Sequence, residues 1–348
     1  MAERRDDLQT WAEQWLTKAD WRCDGALSLA ALSGDAGFRR YYRLNTTPPL
    51  LAVDAPPATE DSAAFVRIAN FLREQGVHTP DVLAVDLAAG FLLVEDFGDE
   101  LLLDSLSADT VELLYGEALL SLLRLQQSPF DGALARAYDG ARLGAEMQLF
   151  SDWFVPQLLG YSLSAEEQTL VSDTFAQLQT AALEQPQVLV HRDFHSRNLM
   201  LREGGAPGVV DFQDAVWGPL TYDLVSLLRD CYIRWPREKV EHWALTYGDM
   251  AVDAGVMSAV PRAQFLRWFD WMGLQRHIKV LGIFARLYLR DGKTGYLKDL
   301  PLVMRYTLEV TESYPELEPF NRWFRTQLLP LAEQQDWYRD YQSAGDSQ

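Results

Sequence analysis

The hydrophobic rhythm of the chain changes once along its length. Up to about residue 95, short apolar runs are broken by Gly, Pro, Asn and Asp, apart from two stretches of helical repeat; from about residue 109 apolar positions recur at three and four. Short apolar runs bounded by turn residues mark strands and the longer repeat marks amphipathic helices. Strands are predicted over residues 27–32, 38–44, 50–54, 82–85 and 91–95. A helix over 60–75 lies among them, with Phe65, Ile68, Phe71 and Leu72 facing inward and Gly76 as its stop. Ahead of them Leu8, Trp11, Trp15 and Leu16 recur at helical spacing over 5–18, with acids early and Lys18 late, as the helix dipole favours. Further helices are predicted over 109–126, 139–159 (interrupted at Pro156), 164–184 and about 262–290. The expected class is α+β, β-rich over 1–98 and mostly helical over 99–341, with a polar tail over 342–348 expected to be frayed.

Composition narrows the class. With 348 residues, two lobes with a sizeable core are possible. A net charge of −19 argues against nucleic acid or an anionic membrane surface as a partner, since both require basic patches. Cys23 and Cys231 are the only cysteines and have no metal-ligand spacing, which suits a reducing compartment. The charged N-terminus lacks a signal-peptide core and no apolar run reaches bilayer length, so a cytoplasmic location is expected. No sequence feature calls for an obligate protein partner.

The chemistry concentrates in residues 188–214, VLVHRDFHSRNLMLREGGAPGVVDFQD. A short apolar strand leads into a polar loop, a turn at Glu203–Gly205 and a second strand that delivers Asp211 and Phe212. Asn198 follows Asp193 by five residues, and Asp211 follows Asn198 by thirteen. Phosphoryl transfer uses these residue types: one carboxylate orients and deprotonates the attacking hydroxyl, while an amide oxygen and a second carboxylate hold Mg²⁺ on the nucleotide phosphates. Asp193 is therefore the candidate base, and Asn198 and Asp211 are the candidate metal ligands. His195 and Arg197 could neutralise transition-state charge. A zinc site built from His191, Asp193 and His195 is the alternative, though no further His or Cys cluster completes it.

The string HRDFHSRNLM followed by VVDFQDA resembles the aminoglycoside-phosphotransferase-like kinases, whose loop runs H-x-D-x-H-x-x-N. The resemblance implies a two-lobed protein-kinase-like fold, with a small N-lobe over 1–98 and a larger C-lobe over 99–341, and ATP and Mg²⁺ as cofactors. It also implies a glycine-containing loop over the phosphates, here SGDAG with Gly34 and Gly37, and a hinge in which the backbone of Glu95 and Phe97 contacts adenine. Two departures from protein kinases stand out. Gln213 replaces the glycine of DFG, and Asp54 stands at the end of the strand that would carry a phosphate-gripping lysine. No lysine occurs between Lys18 and Lys239, so any positive clamp there must be arginine, with Arg39, Arg40 and Arg43 nearest and one of Arg39 and Arg40 expected to face the nucleotide. Strand alternation puts them on opposite faces. Asp223 is expected to brace the catalytic loop, with Thr221 and Asp223 as suitable first-turn residues of the next helix.

Arg276, Lys279, Arg286 and Arg290 recur at helical steps and form a basic stripe in an acidic chain. The blocks DAGFRRYYR, LAVDAPP, HRDFHSRNLM, VVDFQDAVWGP and LQRHIKVLGIFARL are similar to the anomeric amino-sugar kinases of bacterial cell-wall recycling. These phosphorylate the C1 hydroxyl of N-acetylmuramate and N-acetylglucosamine. That resemblance implies an amino-sugar substrate in contact with Asp193, Gln213, Asp214, Trp217, Arg276 or Lys279. Within the same fold an aminoglycoside, homoserine or a choline-like alcohol stays open as substrate, and a pseudokinase binding module is the alternative of another class. The string DGKT at 291–294 lacks the first glycine of a phosphate-binding loop and follows a helix, so it is read as a turn.

Overall fold

The computed structural model describes residues 2–32, 38–202 and 205–346. The chain divides into two compact units. The first comprises Met1–Ser105 and Arg197–Asp214, and the second comprises Leu106–Ser196 and Ala215–Gln348. The division thus falls after Ser105 rather than Gly98, and Arg197–Asp214, expected in the C-lobe, belongs with the first unit. The reason is backbone pairing. Leu201 N–H donates to the Glu100 carbonyl at 2.8 Å and Val209 N–H to the His78 carbonyl at 2.7 Å, so the hairpin is tied to the N-terminal segment.

In the first unit α1 (Ala2–Lys18) packs on a five-stranded antiparallel sheet. The strands are β2 (Leu29–Ala31), β3 (Arg40–Leu44), β5 (Leu50–Asp54), β6 (Val82–Asp86) and β7 (Phe91–Glu95), in the order β2-β3-β5-β7-β6. A two-stranded ladder of β1 (Arg22–Cys23) and β4 (Thr46–Thr47) flanks it. Leu8, Ala12 and Leu16 of α1 meet Leu29, Tyr42, Leu44, Ala52 and Leu93 in one apolar core. Each large apolar side chain buried there contributes about 1.5–3 kcal/mol. Asp54, at the lysine position, has a structural partner: Arg4 donates to its Oδ1 through Nε (3.0 Å) and Nη2 (2.5 Å). α2 (Ser62–Glu74) is capped by the Asp61 carboxylate, which accepts from Ala64 N–H, and a short α3 (Leu102–Ser105) closes the segment.

The second unit is helical: α4 (Val111–Gln126), α5 (Gly140–Leu149), α6 (Ala165–Leu183), α7 (Thr221–Leu228), α8 (Arg237–Asp253), α9 (Arg262–Asp291) and α10 (Leu300–Ser313). α9 is the axis of this unit, buried on every face from Trp268 to Gly282. Gly282 allows α5 and the π-helical turn Phe150–Leu158 to press against it, because a Cβ there would stand 2.3 Å from the Leu149 carbonyl carbon. Pro156 lies inside that π turn, where the proline interruption was expected. α9 ends on Gly292 at φ +69, so the DGKT string is a helix C-cap followed by a 3₁₀ turn. A small sheet places Val216–Pro219 between Arg136–Ala137 and Gln187–Val190.

The C-terminal tail differs from expectation. Arg305 donates to the Ala344 carbonyl (2.8 Å) and to Asp346 (2.7 Å), and Tyr341 is buried, so the tail is tied down through Asp346. Both cysteines are free thiols. Among the described residues no helix is long and apolar enough to cross a membrane.

Candidate active site

In the second unit the buried strand Gln187–Val190 delivers the loop His191–Ser196. Asp223, fully buried in the first turn of α7, accepts from the N–H groups of His191 (2.6 Å) and Arg192 (2.9 Å). It therefore braces the loop and does not cap its own helix. Thr221 does not cap it either, since its hydroxyl donates to Gln185 Oε1 at 2.8 Å. Burial pushes the Asp223 carboxyl up to about 7 in spite of those two donors. The far end of the loop is held by Asp230, whose Oδ2 accepts from Ser196 N–H (2.9 Å) and Oγ–H (2.5 Å). Between these braces Arg192 adopts φ +79, a left-handed backbone that a non-glycine side chain rarely takes.

Asp193, half-buried in this loop, is surrounded by cations. Desolvation opposes its ionisation, but Lys279, His195, Arg276 and Arg192 outweigh that and hold the carboxyl below its ordinary range. Two of these cations share one acid. Glu146 of α5 accepts from Arg192 Nη2 at 2.5 Å and from Lys279 Nζ at 2.9 Å, and the Tyr138 hydroxyl donates to it as well. Lys279 also donates to the Tyr222 hydroxyl at 2.9 Å. Arg276 is buried with them and has Sγ of Cys231 as its hydrogen-bond acceptor, at 3.5 Å. The basic stripe of α9 is therefore split: Arg276 and Lys279 turn into the interior beside Asp193, whereas Arg290 is exposed and pairs with the adjacent Asp291.

In the first unit Leu199–Met200 pairs with Gly208–Val209, and Val210 N–H donates back to the Asn198 carbonyl at 3.1 Å. The turn residues Glu203 and Gly204 lie outside the described residues. Gly208 is required here, because a Cβ would stand 2.5 Å from the Phe97 ring. Asp211 is exposed and adopts φ +64. Its Oδ1 accepts from Gln213 Nε2 at 2.7 Å and its Oδ2 faces Asn198 Nδ2 at 3.5 Å. Phe212 is buried against Phe65 of α2, with ring centroids 4.9 Å apart.

The donor chemistry suits Mg²⁺, which is commonly held by one or two carboxylates, an amide oxygen and the substrate phosphates. Asn198 would turn its Oδ1 toward the ion in place of the nitrogen. Among the described residues no group of three or more His, Cys, Asp or Glu side chains forms a metal cluster, and the zinc alternative finds no support in their arrangement.

Of the two strand arginines, Arg39 is the one built into this unit. Its guanidinium lies 3.2 Å from Glu60, at the foot of α2, and 4.8 Å over the Phe65 ring. Tyr41, on the same strand face, has its hydroxyl pKa raised by burial and by the charge of Asp211, which places Arg39, Tyr41 and Asp211 in one neighbourhood. Arg40 is exposed.

Other expected residues stand elsewhere. Gly34 and Gly37 lie outside the described residues. The Glu95 N–H donates to the Asp81 carbonyl at 2.9 Å, and its carboxylate lies near Arg73 and Arg202. Phe97 packs its ring on Gly208 and beneath Arg202. Trp217 is buried in the small sheet, donates to the Asp131 carbonyl at 3.0 Å and tilts against Phe130; it lines a separate cleft with Gln187 and Val256 rather than the surroundings of Asp193. Arg197 and Asp214 are the half-buried first residue and the exposed last residue of the returning segment.

The model of the phosphotransferase enzyme family matches residues 28–266. The chain belongs to that family. Among curated relatives, a protein of Pseudomonas aeruginosa is 44% identical across 90% of this chain and 94% of its own length. A protein of Pseudomonas putida is 41% identical with the same coverage. Both bear the name N-acetylmuramate/N-acetylglucosamine kinase. Among solved structures, an ADP-bound aminoglycoside phosphotransferase is similar with a TM-score of 0.55 at 14% identity, covering 86% of this chain and 97% of that one. At that identity the likeness establishes the fold, which is the expected two-lobed α+β architecture.

Three residues that hold these candidates gave no signal in the sequence: Glu146, Glu60 and Asp230. Each reaches its partner from an element distant in sequence, and no spacing marks it.

Proposed function

We propose that this chain is an ATP- and Mg²⁺-dependent kinase that phosphorylates the anomeric hydroxyl of N-acetylmuramate and N-acetylglucosamine. The carrying observation is full-length similarity to relatives of that name, on a chain that keeps Asp193, Asn198 and Asp211. Asp193 would orient the C1 hydroxyl and accept its proton. The cations around it keep Asp193 ionised, the state a base needs. Asn198 and Asp211 would hold Mg²⁺, which supplies charge neutralisation on the phosphates when bound. Arg39, steadied by Glu60, would take the place of the absent strand lysine. His195 or Arg197 would offset charge that develops on the transferring group.

The test is ³¹P NMR of the protein with Mg·ATP and N-acetylmuramate, N-acetylglucosamine, kanamycin or homoserine, beside Asp193→Asn. A sugar-1-phosphate resonance that disappears in the variant is expected. Product from kanamycin or homoserine alone would replace the amino-sugar reading, and absence of any product would favour a binding module.

A further inference from the structure

The two faces of α5 have different surroundings. Leu143, Glu146, Met147 and Phe150 recur at three- and four-residue steps and turn inward, with Glu146 holding Arg192 and Lys279. Gly144, Ala145, Gln148 and Ser151 follow the complementary steps and line a cleft of about 670 Å³ against α6, well within the size of ligand sites. The cleft lies wholly in the second unit, and none of its residues belongs to the Asp193 loop or to the cations around it. The π-helical turn that begins at Phe150 borders it through Ser151, and such turns are rare and frequent at functional sites.

The lining has a definite chemistry. Buried Val171 and Phe175 give it an apolar base. Among the described residues the hydroxyls of Ser151 and Ser172 and the amide of Gln179 have no hydrogen-bond partner in the protein. Gln148 and Gln168 use their amide nitrogens on Asp152 Oδ1 (3.0 Å) and the Leu163 carbonyl (3.2 Å) and keep their carbonyl oxygens. Gln179 reaches over to α5 where Gly144 has no side chain, since a Cβ there would stand 2.5 Å from its Nε2. No ionisable side chain lines the cleft among the described residues. The nearby acids are turned to other partners, Glu146 to Arg192 and Lys279, and Glu167 to Tyr161 and Trp323.

Phosphates and carboxylates are recognised by arginine or lysine, and cations by carboxylates, so neither a nucleotide nor a charged sugar suits this lining. Donors and acceptors above an apolar base suit a neutral ring with hydroxyls or an acetamide on its edge and C–H bonds on its face. We propose that the cleft is a second binding site, for an uncharged saccharide, and that its occupant acts on the reaction through α5, whose opposite face carries Glu146. The effect on the reaction rests on the kinase reading above; the binding does not.

The probe is methyl N-acetyl-β-glucosaminide, which is neutral, bears hydroxyls and an acetamide, and has no anomeric hydroxyl to phosphorylate. It is added to N-acetylglucosamine phosphorylation at saturating sugar, where competition at the reacting site vanishes, in the wild type, Ala176→Trp and Gln179→Leu. Ala176 is exposed, so an indole there fills the cleft without entering the core. In the wild type the probe should change kcat by about fivefold, the low end of coupling between sites. Both variants should keep the wild-type kcat without the probe and lose that response. Purely competitive inhibition of the wild type, or a response of the same size in both variants, would overturn the proposal. Calorimetric titration of the probe gives a second readout: the wild type should bind it at a site that Ala176→Trp lacks, and equal isotherms would also overturn the proposal. If the wild type phosphorylates no sugar, the substrate reading fails and calorimetry still decides the cleft.

Discussion

Asp193 and Asp211 are the two acids of the motif, and their settings are opposite. Asp193 sits in a loop braced at both ends by buried carboxylates and lies in the field of four cations drawn from the loop itself and from α9. Asp211 is exposed, on a strained backbone, and its near partners are the amides of Asn198 and Gln213. The first acid is preorganised by long-range packing. The second is assembled from one continuous segment, with Asn198 and Gln213 as sequence neighbours on its two oxygens. A base must be held in one place and one charge state before the reaction, whereas a metal-binding acid is completed by its ion.

This contrast sets the order of expected effects. Asp193→Asn should reduce kcat by about 10³-fold with no recovery at high Mg²⁺, measured by coupled ADP release. Asp211→Asn should weaken Mg²⁺ activation by about 100-fold and respond to added metal, seen in a Mg²⁺ titration; equal insensitivity of both variants to Mg²⁺ would erase the distinction. Glu146→Gln leaves the half-buried Arg192 and the buried Lys279 without their shared acid. It should cost about 3 kcal/mol in urea unfolding and lower kcat about tenfold, with the KM for ATP unchanged. Lys279→Met removes a cation that favours the ionised Asp193, so the acid limb of the pH–rate profile should move to higher pH.

The smallest effect concerns stability. Burial raises the Asp223 carboxyl from an ordinary 3.8 to about 7, so between those values the folded state keeps a proton that the unfolded state has released. Stability from this group therefore falls as pH rises through that window and is lowest above it. Urea midpoints at about pH 5 and about pH 8 should differ less in Asp223→Asn than in the wild type, although the variant loses a backbone acceptor and is weaker at both.

How far the site was legible follows the same divide. Asp193, Asn198 and Asp211 lie within one short stretch, and local spacing with flanking strand residues was enough to nominate them. Five strands and the long helices were equally visible, since short apolar runs and helical repeats are local properties. Glu146 gives no such signal: in GARLGAEMQLF it reads as an ordinary surface position of an amphipathic helix, and its role appears once α5 lies beside α9. The stripe on α9 shows the limit of periodicity, which assigned Arg276 and Arg290 to one face without telling which part of that face is covered. Asp54 looked like a missing lysine, while its role is to receive Arg4 from α1. The return of Arg197–Asp214 to the first unit was also invisible, because it depends on backbone pairing with His78 and Glu100 and not on side-chain pattern.

That returning segment bears on how the protein is made. Synthesis runs from the N-terminus, and the first unit is incomplete when Ser105 leaves the ribosome. The His78 and Glu100 carbonyls then lack their donors, Phe65 lacks Phe212, and Phe97 lacks the flat surface of Gly208. Much of the helical unit must be translated before Asp214 emerges and these places are filled. The N-terminal sheet must therefore wait, partly exposed, for a piece of chain encoded much later in the message, and a gene fragment ending at Ser105 would not yield this unit as an independently complete domain.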